Sequence, residues 1–245
     1  MSGRLFNVPA TNVCPAHDVL LTFAESIHDP GCRLPRDGFQ WYPTRQPVHL
    51  PFWAGSPVPG DAYSTVMNWN AYDEATWEGE RWGQKDAEFP LVEPLPARTG
   101  LAFEVGLGGA DAPYEDLAAK GWRLVDPRVV TSSVWRFRDY IRTSRGELTV
   151  AKQAYVRSRS GWFSERSANY LAAGRPVVAQ DTSWSHRLPT GHGLFAFTTT
   201  EEAEAALAAV ERDPVGEGAA ARAVAEAHFD ARVVLERLLE DAGVE

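Results

Sequence analysis

Cysteine, methionine and long apolar runs are all scarce in this chain of 245 residues. The two cysteines, Cys14 and Cys32, are too few for a disulfide framework and lie in no CxxC or histidine-rich cluster. No segment approaches the about 18 consecutive apolar residues that a membrane helix requires, and the first ten residues lack the apolar core of a signal peptide. We therefore expect a cytoplasmic protein with no membrane span and no metal site.

Positive charge is also in deficit. The sequence has 24 lysine and arginine residues against 33 aspartate and glutamate residues, which gives a net charge of −9. This excess of negative charge disfavours general binding to nucleic acid or to anionic membranes, so an anionic ligand must bind in a local basic pocket. Hydrophobic residues make up 44% of the chain and charged residues 23%, which is ordinary for a globular enzyme with a sizeable core.

The chain divides into two zones. Residues 1–60 are rich in proline, aspartate and aromatic residues, and they contain two brief strand predictions, at 19–25 and 47–53. From residue 61 onward strand patterns alternate with helix patterns, which predicts a parallel sheet with right-handed crossovers. We therefore predict an α/β, Rossmann-like domain over 61–245, preceded by an irregular and incomplete segment over 1–60. The strands predicted in the domain cover 63–69, 101–108, 122–126, 147–151, 175–180 and 194–197.

The stretch from 147 to 182 carries the strongest functional pattern. It is predicted as a strand, a basic loop, a helix that begins at Ser164 and ends at Gly174, and a second strand. The loop contains Lys152, Arg157 and Arg159. In a β–loop–α–β unit the loop and the helix N-terminus meet at the carboxyl end of the sheet, where free backbone N–H groups favour phosphate. The pattern therefore indicates a nucleotide or nucleotide-sugar site.

The order GWFSERSANYLAAGRPVVAQDT, GLFAF and EEAEAAL resembles the C-terminal donor domain of GT-B glycosyltransferases. In particular it is similar to a bacterial branch of family 1 glycosyltransferases that is related to CgeB-like spore-maturation proteins. The resemblance extends along nearly the whole chain and is most specific at 157–182 and 193–207. Members of this family carry an N-terminal Rossmann domain that holds a glycine-rich loop and the acceptor-side base. We therefore interpret residues 1–60 as a remnant of that domain, or as a linker.

The resemblance implies a donor site without a metal or a cofactor. In the family, basic side chains and a helix N-terminus neutralise the diphosphate. Many retaining members also place a ribose-binding glutamate where this chain has Asn169, so the resemblance implies that ribose anchoring is weaker here or shifts to Glu165. Each position also has a structural interpretation: a solvated basic loop, a first-turn carboxylate or ordinary turn chemistry. The predicted donor-binding residues are Lys152, Arg157, Arg159, Ser164, Glu165, Asn169, Asp181 and Asn68.

Three classes of function follow from these patterns. The first is a glycosyltransferase, or its donor half, that takes a nucleotide-diphosphate sugar as substrate. The second is a truncated pseudo-glycosyltransferase that acts as a binding or auxiliary subunit. The third is an unrelated Rossmann-like nucleotide-binding protein, against which the lack of a GxGxxG loop after the first strand counts. The sequence does not specify the sugar, the base, the acceptor or the stereochemical outcome, and a homo-oligomer or a partner chain completing the cleft is an expectation.

Overall fold

The computed structural model describes residues 14–55, 57–71, 75–109 and 111–244. A short parallel pair of strands and an antiparallel hairpin accompany one large parallel sheet. The strands are β1 (Leu20–Thr22), β2 (Trp41–Pro43), β3 (Ala62–Asn68), β4 (Ala75–Trp77), β5 (Glu80–Trp82), β6 (Ala102–Gly108), β7 (Trp122–Val125), β8 (Gly146–Thr149), β9 (Val177–Gln180) and β10 (Leu194–Phe197). The α-helices are α1 (Leu95–Thr99), α2 (Tyr114–Ala119), α3 (Pro127–Val130), α4 (Val134–Thr143), α5 (Gln153–Ser158), α6 (Glu165–Ala172), α7 (Thr200–Arg212), α8 (Pro214–His228) and α9 (Ala231–Asp241).

The large sheet has six strands in the order β10-β9-β8-β3-β6-β7, and every neighbouring pair is parallel. The chain starts the sheet at β3, adds β6 and β7 on one side, and then returns to add β8, β9 and β10 on the other. The order of the strands therefore reverses between β3 and β8. In open α/β sheets, ligands bind outside the carboxyl ends of the strands at such a switch point.

Strand β9 lies inside this sheet, as its uninterrupted apolar sequence predicts. It pairs with β8 on one side and β10 on the other, and all four of its residues are buried. Val178 packs into the core on one face of the sheet, while Val177 and Ala179 pack into the core on the opposite face. The predicted Rossmann-like parallel sheet is confirmed.

The described part of the N-terminal segment packs onto this domain. Val48, Leu50 and Trp53 belong to the hydrophobic core formed with α6 and α8. The strand predicted over 47–53 is wrong: Val48 makes a single bridge to Asp230, and Leu50–Trp53 is a 3-10 helix. Pro51 explains the difference, because proline donates no ladder hydrogen bond and favours the first turn of a helix.

Two further elements differ from the sequence prediction. The strand predicted over 19–25 is confined to β1, and the basic loop over 152–159 contains the helix α5. The free N–H groups of Gln153 and Ala154 at the start of α5 donate to the carbonyls of Gln84 and Gly83. That cap comes from a distant part of the chain, so local sequence did not reveal it. No helix in the described parts of the chain is long and apolar enough to cross a membrane.

Candidate functional site

A crevice opens where β3 and β8 separate. β3 pairs with β6 along seven residues, but it pairs with β8 at Tyr63 and Ser64 alone within the described ladder. Beyond Ser64 the two strands diverge toward their carboxyl ends. The switch point of the sheet is therefore a gap that side chains must fill.

Arg166, in the first turn of α6, fills this gap with its guanidinium group. Nη1 donates to the carbonyl oxygen of Val66 on β3 at 2.5 Å, and Nη2 donates to Oγ1 of Thr149 on β8 at 2.7 Å. Nε donates to Oε1 of Glu147 at 2.5 Å, and Glu147 is fully buried. Arg166 thus holds both strands at the switch point, and its charge is balanced by one carboxylate.

Lys85 adds a second cation at the same place. It lies in a 3-10 turn, Lys85–Ala87, and only 8% of its surface is exposed. Within the described residues its ammonium group has no hydrogen-bond or ion-pair partner. Burial lowers the pKa of Lys85 well below its usual value, and the charges of Arg166 and Lys152 lower it further, while Glu147 opposes them. Two cations, Lys85 and Arg166, therefore lie close to one carboxylate, that of Glu147.

Such a cluster can hold an anion. A largely buried ammonium group without a protein partner is destabilising because it has lost much of its hydration and gained no hydrogen bond in return. An anion placed beside Lys85 would restore the charged form and balance the excess charge of the cluster. The N-terminus of the eight-residue helix α6 begins at the same crevice, at Ser164.

Several buried acceptors around the crevice also lack partners. Gln84 Oε1, Glu147 Oε2 and Ser167 Oγ are buried and make no hydrogen bond among the described residues. Ser164 and Ser167 line a cavity of about 10 Å³ beside Arg166. That volume holds roughly one water molecule, so a larger ligand must bind above it.

The segment 83–88 covers the crevice. Its carbonyls cap α5, the N–H of Asp86 donates to the carbonyl of Trp69, and Glu88 accepts a hydrogen bond from Gln180 Nε2 at 2.6 Å. Gln180 in turn accepts from the N–H of Ala151 at the end of β8. Segment 83–88 is therefore tied to the carboxyl ends of β3, β8 and β9.

The structure places two of the predicted basic residues away from this crevice. Arg157 is exposed, and its Nη1 donates to the carbonyl of Arg81 at 2.7 Å. Arg159 ends α5 in the left-handed conformation and lines a separate cavity. Lys152 directly precedes α5, and its ammonium lies 5.8 Å from the ring centre of Tyr155. Of the three predicted cations, Lys152 is the one that acts electrostatically on the Lys85 cluster.

The predicted residues on α6 share its start and one face. Ser164 occupies the N-cap position, but its hydroxyl makes no capping hydrogen bond. Glu165 is exposed in the first turn, and Asn169 is partly exposed one turn further on. Both side chains are within one turn of Arg166 along the helix.

Asp181 and Asn68 lie at the ends of two different strands. The Asp181 carboxylate accepts hydrogen bonds from the backbone N–H of Ser183 at 2.9 Å and from Oγ of Ser185 at 2.7 Å, so it fixes the turn after β9. Asn68 is exposed at the end of β3. Its Oδ1 lies so close to the neighbouring Gly108 that a Cβ there would approach it to 2.6 Å.

A larger cavity lies at the carboxyl ends of β6 and β7. Its volume is about 480 Å³, and its walls include Tyr114, Leu124, Pro127 and the backbone of Gly108. This size falls in the range typical of small-molecule pockets. Because Gly108 is the register partner of Asn68, the cavity begins one strand away from β3.

Sequence reasoning missed Arg166, Lys85 and Glu147. One signal was available: lysine is rare in this chain, and two of its three lysines, Lys85 and Lys152, meet at this crevice. Among the described residues, no group of three or more histidine, cysteine, aspartate or glutamate side chains is arranged to hold a metal ion.

No family model matches the sequence, and a search of curated proteins also found no match. Solved structures do share the fold. TarM superimposes with a TM-score of 0.59 at 12% identity, over 91% of this chain and 42% of TarM. AviGT4, a glycosyltransferase involved in avilamycin A biosynthesis, has a TM-score of 0.56 at 15% identity, over 90% of this chain and 60% of AviGT4.

HepE from Anabaena, whose crystal structure contains UDP and glucose, has a TM-score of 0.56 at 12% identity, over 85% of this chain and 59% of HepE. At these identities the likeness shows the fold, which is that of GT-B glycosyltransferases. This chain spans 42–60% of the length of the three structures. The narrower resemblance to the CgeB-like branch stays a prediction.

Proposed function

We propose that this chain binds a nucleotide-diphosphate sugar across the carboxyl ends of its parallel strands and serves as the donor-binding part of a glycosyltransferase. The observation that carries the proposal is the buried, unpartnered ammonium of Lys85 beside Arg166 and Lys152 at the switch point of the sheet, within the part of the chain that the structure describes. A diphosphate supplies the negative charge that this cluster lacks. The N-terminus of α6 adds backbone donors and a favourable dipole.

The nucleoside occupies the cavity between β6 and β7. Its apolar walls at Tyr114, Leu124 and Pro127 suit the faces of a flat base. Neighbouring strands are about 4.8 Å apart, so the middle of this cavity lies about 10 Å along the sheet edge from the β3–β8 crevice. One nucleoside spans a distance of that order. Asn68 lies between the two sites and is positioned to contact the ribose.

The remaining predicted residues keep supporting roles in this proposal. Glu165 and Asn169 present a carboxylate and an amide from the accessible face of α6, beside the diphosphate or the ribose. Asp181 holds the turn after β9, which borders the sugar end of the ligand. Donor contacts by Arg157 and Arg159 stay predictions. Arg157 donates its hydrogen bond to the carbonyl of Arg81, and Arg159 lines a separate cavity.

The cations also suit the chemistry of sugar transfer. When the bond between the sugar and the diphosphate breaks, negative charge grows on the leaving diphosphate. Lys85, Lys152 and the α6 N-terminus are fixed in place before the reaction, and preorganised charges of this kind stabilise a developing anion more than mobile water does. HepE, which shares the fold, was crystallised with UDP and glucose, and this supports the same ligand class here.

Binding of nucleotide sugars tests the proposal directly. Isothermal titration calorimetry with UDP-, GDP-, TDP- and ADP-sugars should show saturable binding of at least one. Lys85→Met removes the charge while keeping most of the length of the side chain, and it should weaken that binding by roughly tenfold or more, the effect of one lost charge-assisted contact. The exposed Lys120 offers a control, since Lys120→Met removes the same charge far from the crevice. Equal affinities for Lys85→Met and wild type would refute the site.

A second function has one observation in its favour. Three carboxylates around the crevice each accept a hydrogen bond within the described residues: Glu147 from Arg166, Glu88 from Gln180 and Asp181 from its own turn. These hydrogen bonds weaken each of the three as a base toward an acceptor. A chain that binds the donor without turning it over would act as an auxiliary, donor-binding subunit.

A further inference from the structure

The separate cavity that Arg159 lines is formed between the N-terminal segment and the sheet domain. Its volume is about 460 Å³, and residues 26–32 of the N-terminal segment form one wall. Arg159, Ser183 and His186 form the opposite wall, from the loops that follow α5 and β9. The cavity therefore exists because the N-terminal segment packs against the sheet domain. It shares no lining residue with the crevice beside Arg166.

Ser26 contributes a hydroxyl group with no partner. The residue is 1% exposed, and its Oγ makes no hydrogen bond among the described residues. Its position is fixed on both sides, because its backbone N–H donates to the carbonyl of Ser160 at 3.0 Å and Gly161 approaches it closely. A Cβ at Gly161 would lie 2.5 Å from Ser26 Oγ. A buried hydroxyl held in this way is destabilising unless a ligand completes its hydrogen bonds.

Arg159 is an exposed residue that lines the same cavity. Its backbone is left-handed, with φ of 49°, which is unfavourable for a side chain of this size. Within the described part of the chain, the guanidinium has no hydrogen bond or ion pair. It lies against Gly31, where an added Cβ would be 3.5 Å from Nη1.

The other charges of the cavity leave this guanidinium in excess. The carboxylate of Asp29 is engaged by Arg187. Burial raises the pKa of the Cys32 thiol, so no thiolate competes for the cation. The free charge is therefore positive, and it faces a space far larger than a bare ion needs.

We propose that this cavity is a second ligand site, which binds an oxyanion, carboxylate or phosphate, between the guanidinium of Arg159 and the hydroxyl of Ser26. The volume admits an oxyanion that belongs to a hydroxylated molecule the size of a sugar acid or a sugar phosphate. This site does not depend on the donor site, because the two have no lining residue in common.

The experiment uses the full chain with Lys85→Met as background, which removes the cation proposed to hold the diphosphate at the crevice. Inorganic phosphate, D-glucuronate and D-glucose are titrated separately, and the amide resonances of Gly31 and Ser183 are followed by NMR. We expect saturable shifts with phosphate, glucuronate or both, and none with glucose, which has the hydroxyl groups but no charge. A response to phosphate alone identifies a phosphorylated ligand, and a response to glucuronate alone identifies a carboxylate.

Two variants and a control identify the groups that bind. Arg159→Met should weaken the binding of the anion that gives the response by about tenfold or more, because a charge-assisted hydrogen bond is lost. Ser26→Ala should weaken it several-fold with no fall in melting temperature, since the hydroxyl has no partner in the free protein. Arg136→Met, an exposed arginine on α4, should bind as the background does.

Three outcomes would overturn the proposal: no saturable shift with either anion, equal responses to glucose and glucuronate, or unchanged affinity in Arg159→Met. The donor site is judged separately, by nucleotide-sugar binding to wild type and to Lys85→Met. A lack of nucleotide-sugar binding would not contradict the anion site, and a lack of anion binding at Arg159 would not contradict the donor site.

Discussion

At the scale of single residues, Lys85 is the side chain whose position is hardest to explain by stability. It is buried next to two cations, and burial together with Arg166 and Lys152 lowers its pKa. Proteins retain such groups mainly where function requires them. The absence of a partner for its ammonium among the described residues gives two distinct expectations, one for binding and one for stability.

The stability of Lys85→Met is the first of these residue-scale predictions. We expect the variant to unfold at a higher temperature than wild type at pH 7, because methionine fills the same space without a buried charge. The pKa of Lys85 is lowered in the folded state, so the unfolded chain binds more protons between that value and about 10.5. Wild-type stability therefore rises with pH across this window. The advantage of Lys85→Met should be largest below it and should vanish near pH 10.5.

Thermal unfolding of both proteins between pH 7 and pH 10.5 measures this difference. Lys120→Met is again the control, since Lys120 is exposed and paired with Asp116 and Glu93, and it should not stabilise the protein. A Lys85→Met protein that is less stable than wild type at pH 7 would contradict the buried, unpartnered ammonium.

Arg166 and Glu147 form an ion pair, which we expect to stabilise the fold, whereas Lys85 has no partner and is expected to destabilise it. Arg166→Met should lower the free energy of unfolding by about 3–5 kcal/mol, because it leaves the fully buried carboxylate of Glu147 without its partner. The double variant Arg166→Met/Glu147→Gln should be clearly more stable than Arg166→Met alone. Denaturant unfolding of wild type, Arg166→Met, Glu147→Gln and the double variant gives the coupling energy between the two residues. Independent, additive effects would show that the pair does not act as a unit.

At the scale of elements, the alternation of strands and helices predicted the sheet well. The buried, uninterrupted apolar sequence of β9 and the glycine that ends α6 are local signals, and the structure confirms both elements. The tail after residue 200 likewise forms three helices, α7, α8 and α9. Local pattern was sufficient here because these elements bury one continuous face or lie within the core.

Local pattern failed where a distant segment decides the conformation. The helix α5 is capped by carbonyls of Gly83 and Gln84, about 70 positions earlier in the chain. The β4–β5 hairpin turns through Glu78 and Gly79, both left-handed, and its glutamate–glycine turn was the available clue. Lys85, the buried cation of the crevice, follows this hairpin in the chain three residues after β5 ends at Trp82. The sequence therefore predicted the start of α6 at Ser164 correctly, but it did not predict that Lys85 lies near it.

Segment 83–88 should respond to the ligand of the crevice. It contains Lys85 and is held by hydrogen bonds to Trp69, α5 and Gln180, so a diphosphate bound at Lys85 would add contacts to this segment. We expect UDP or its sugars to slow hydrogen exchange of the amides in 83–88. Exchange in α7, on another part of the domain, is the internal control and should not change. Faster or unchanged exchange in 83–88 at saturating ligand would show that the ligand binds elsewhere.

At the scale of the whole molecule, the parallel sheet carries the crevice at the carboxyl ends of its strands. The similar solved structures are longer, and this chain spans 42–60% of them. The described N-terminal segment is integrated into the core of the sheet domain through Val48, Leu50 and Trp53. It forms a two-stranded sheet of its own, β1 and β2, and its described part builds no second Rossmann-like sheet. If the proposed function holds, we expect a partner chain or a second copy to provide the surface that encloses an acceptor opposite the crevice.

Catalysis is the last prediction. We expect purified protein to bind a nucleotide sugar and hydrolyse it slowly, and to transfer the sugar only when a partner chain or a second copy completes the cleft. Positioning of an acceptor contributes about 7–11 kcal/mol to lowering a barrier, and a general base contributes about 10²–10⁴-fold in rate. Glu147, Glu88 and Asp181 are poor candidates for that base, because Arg166, Gln180 and the turn after β9 engage them. Assays of the purified monomer with several acceptors measure this, with Lys85→Met as the control for donor-dependent turnover. A monomer that transfers sugar at an ordinary enzymatic rate, on the order of 1–10³ s⁻¹, would place the base within this chain.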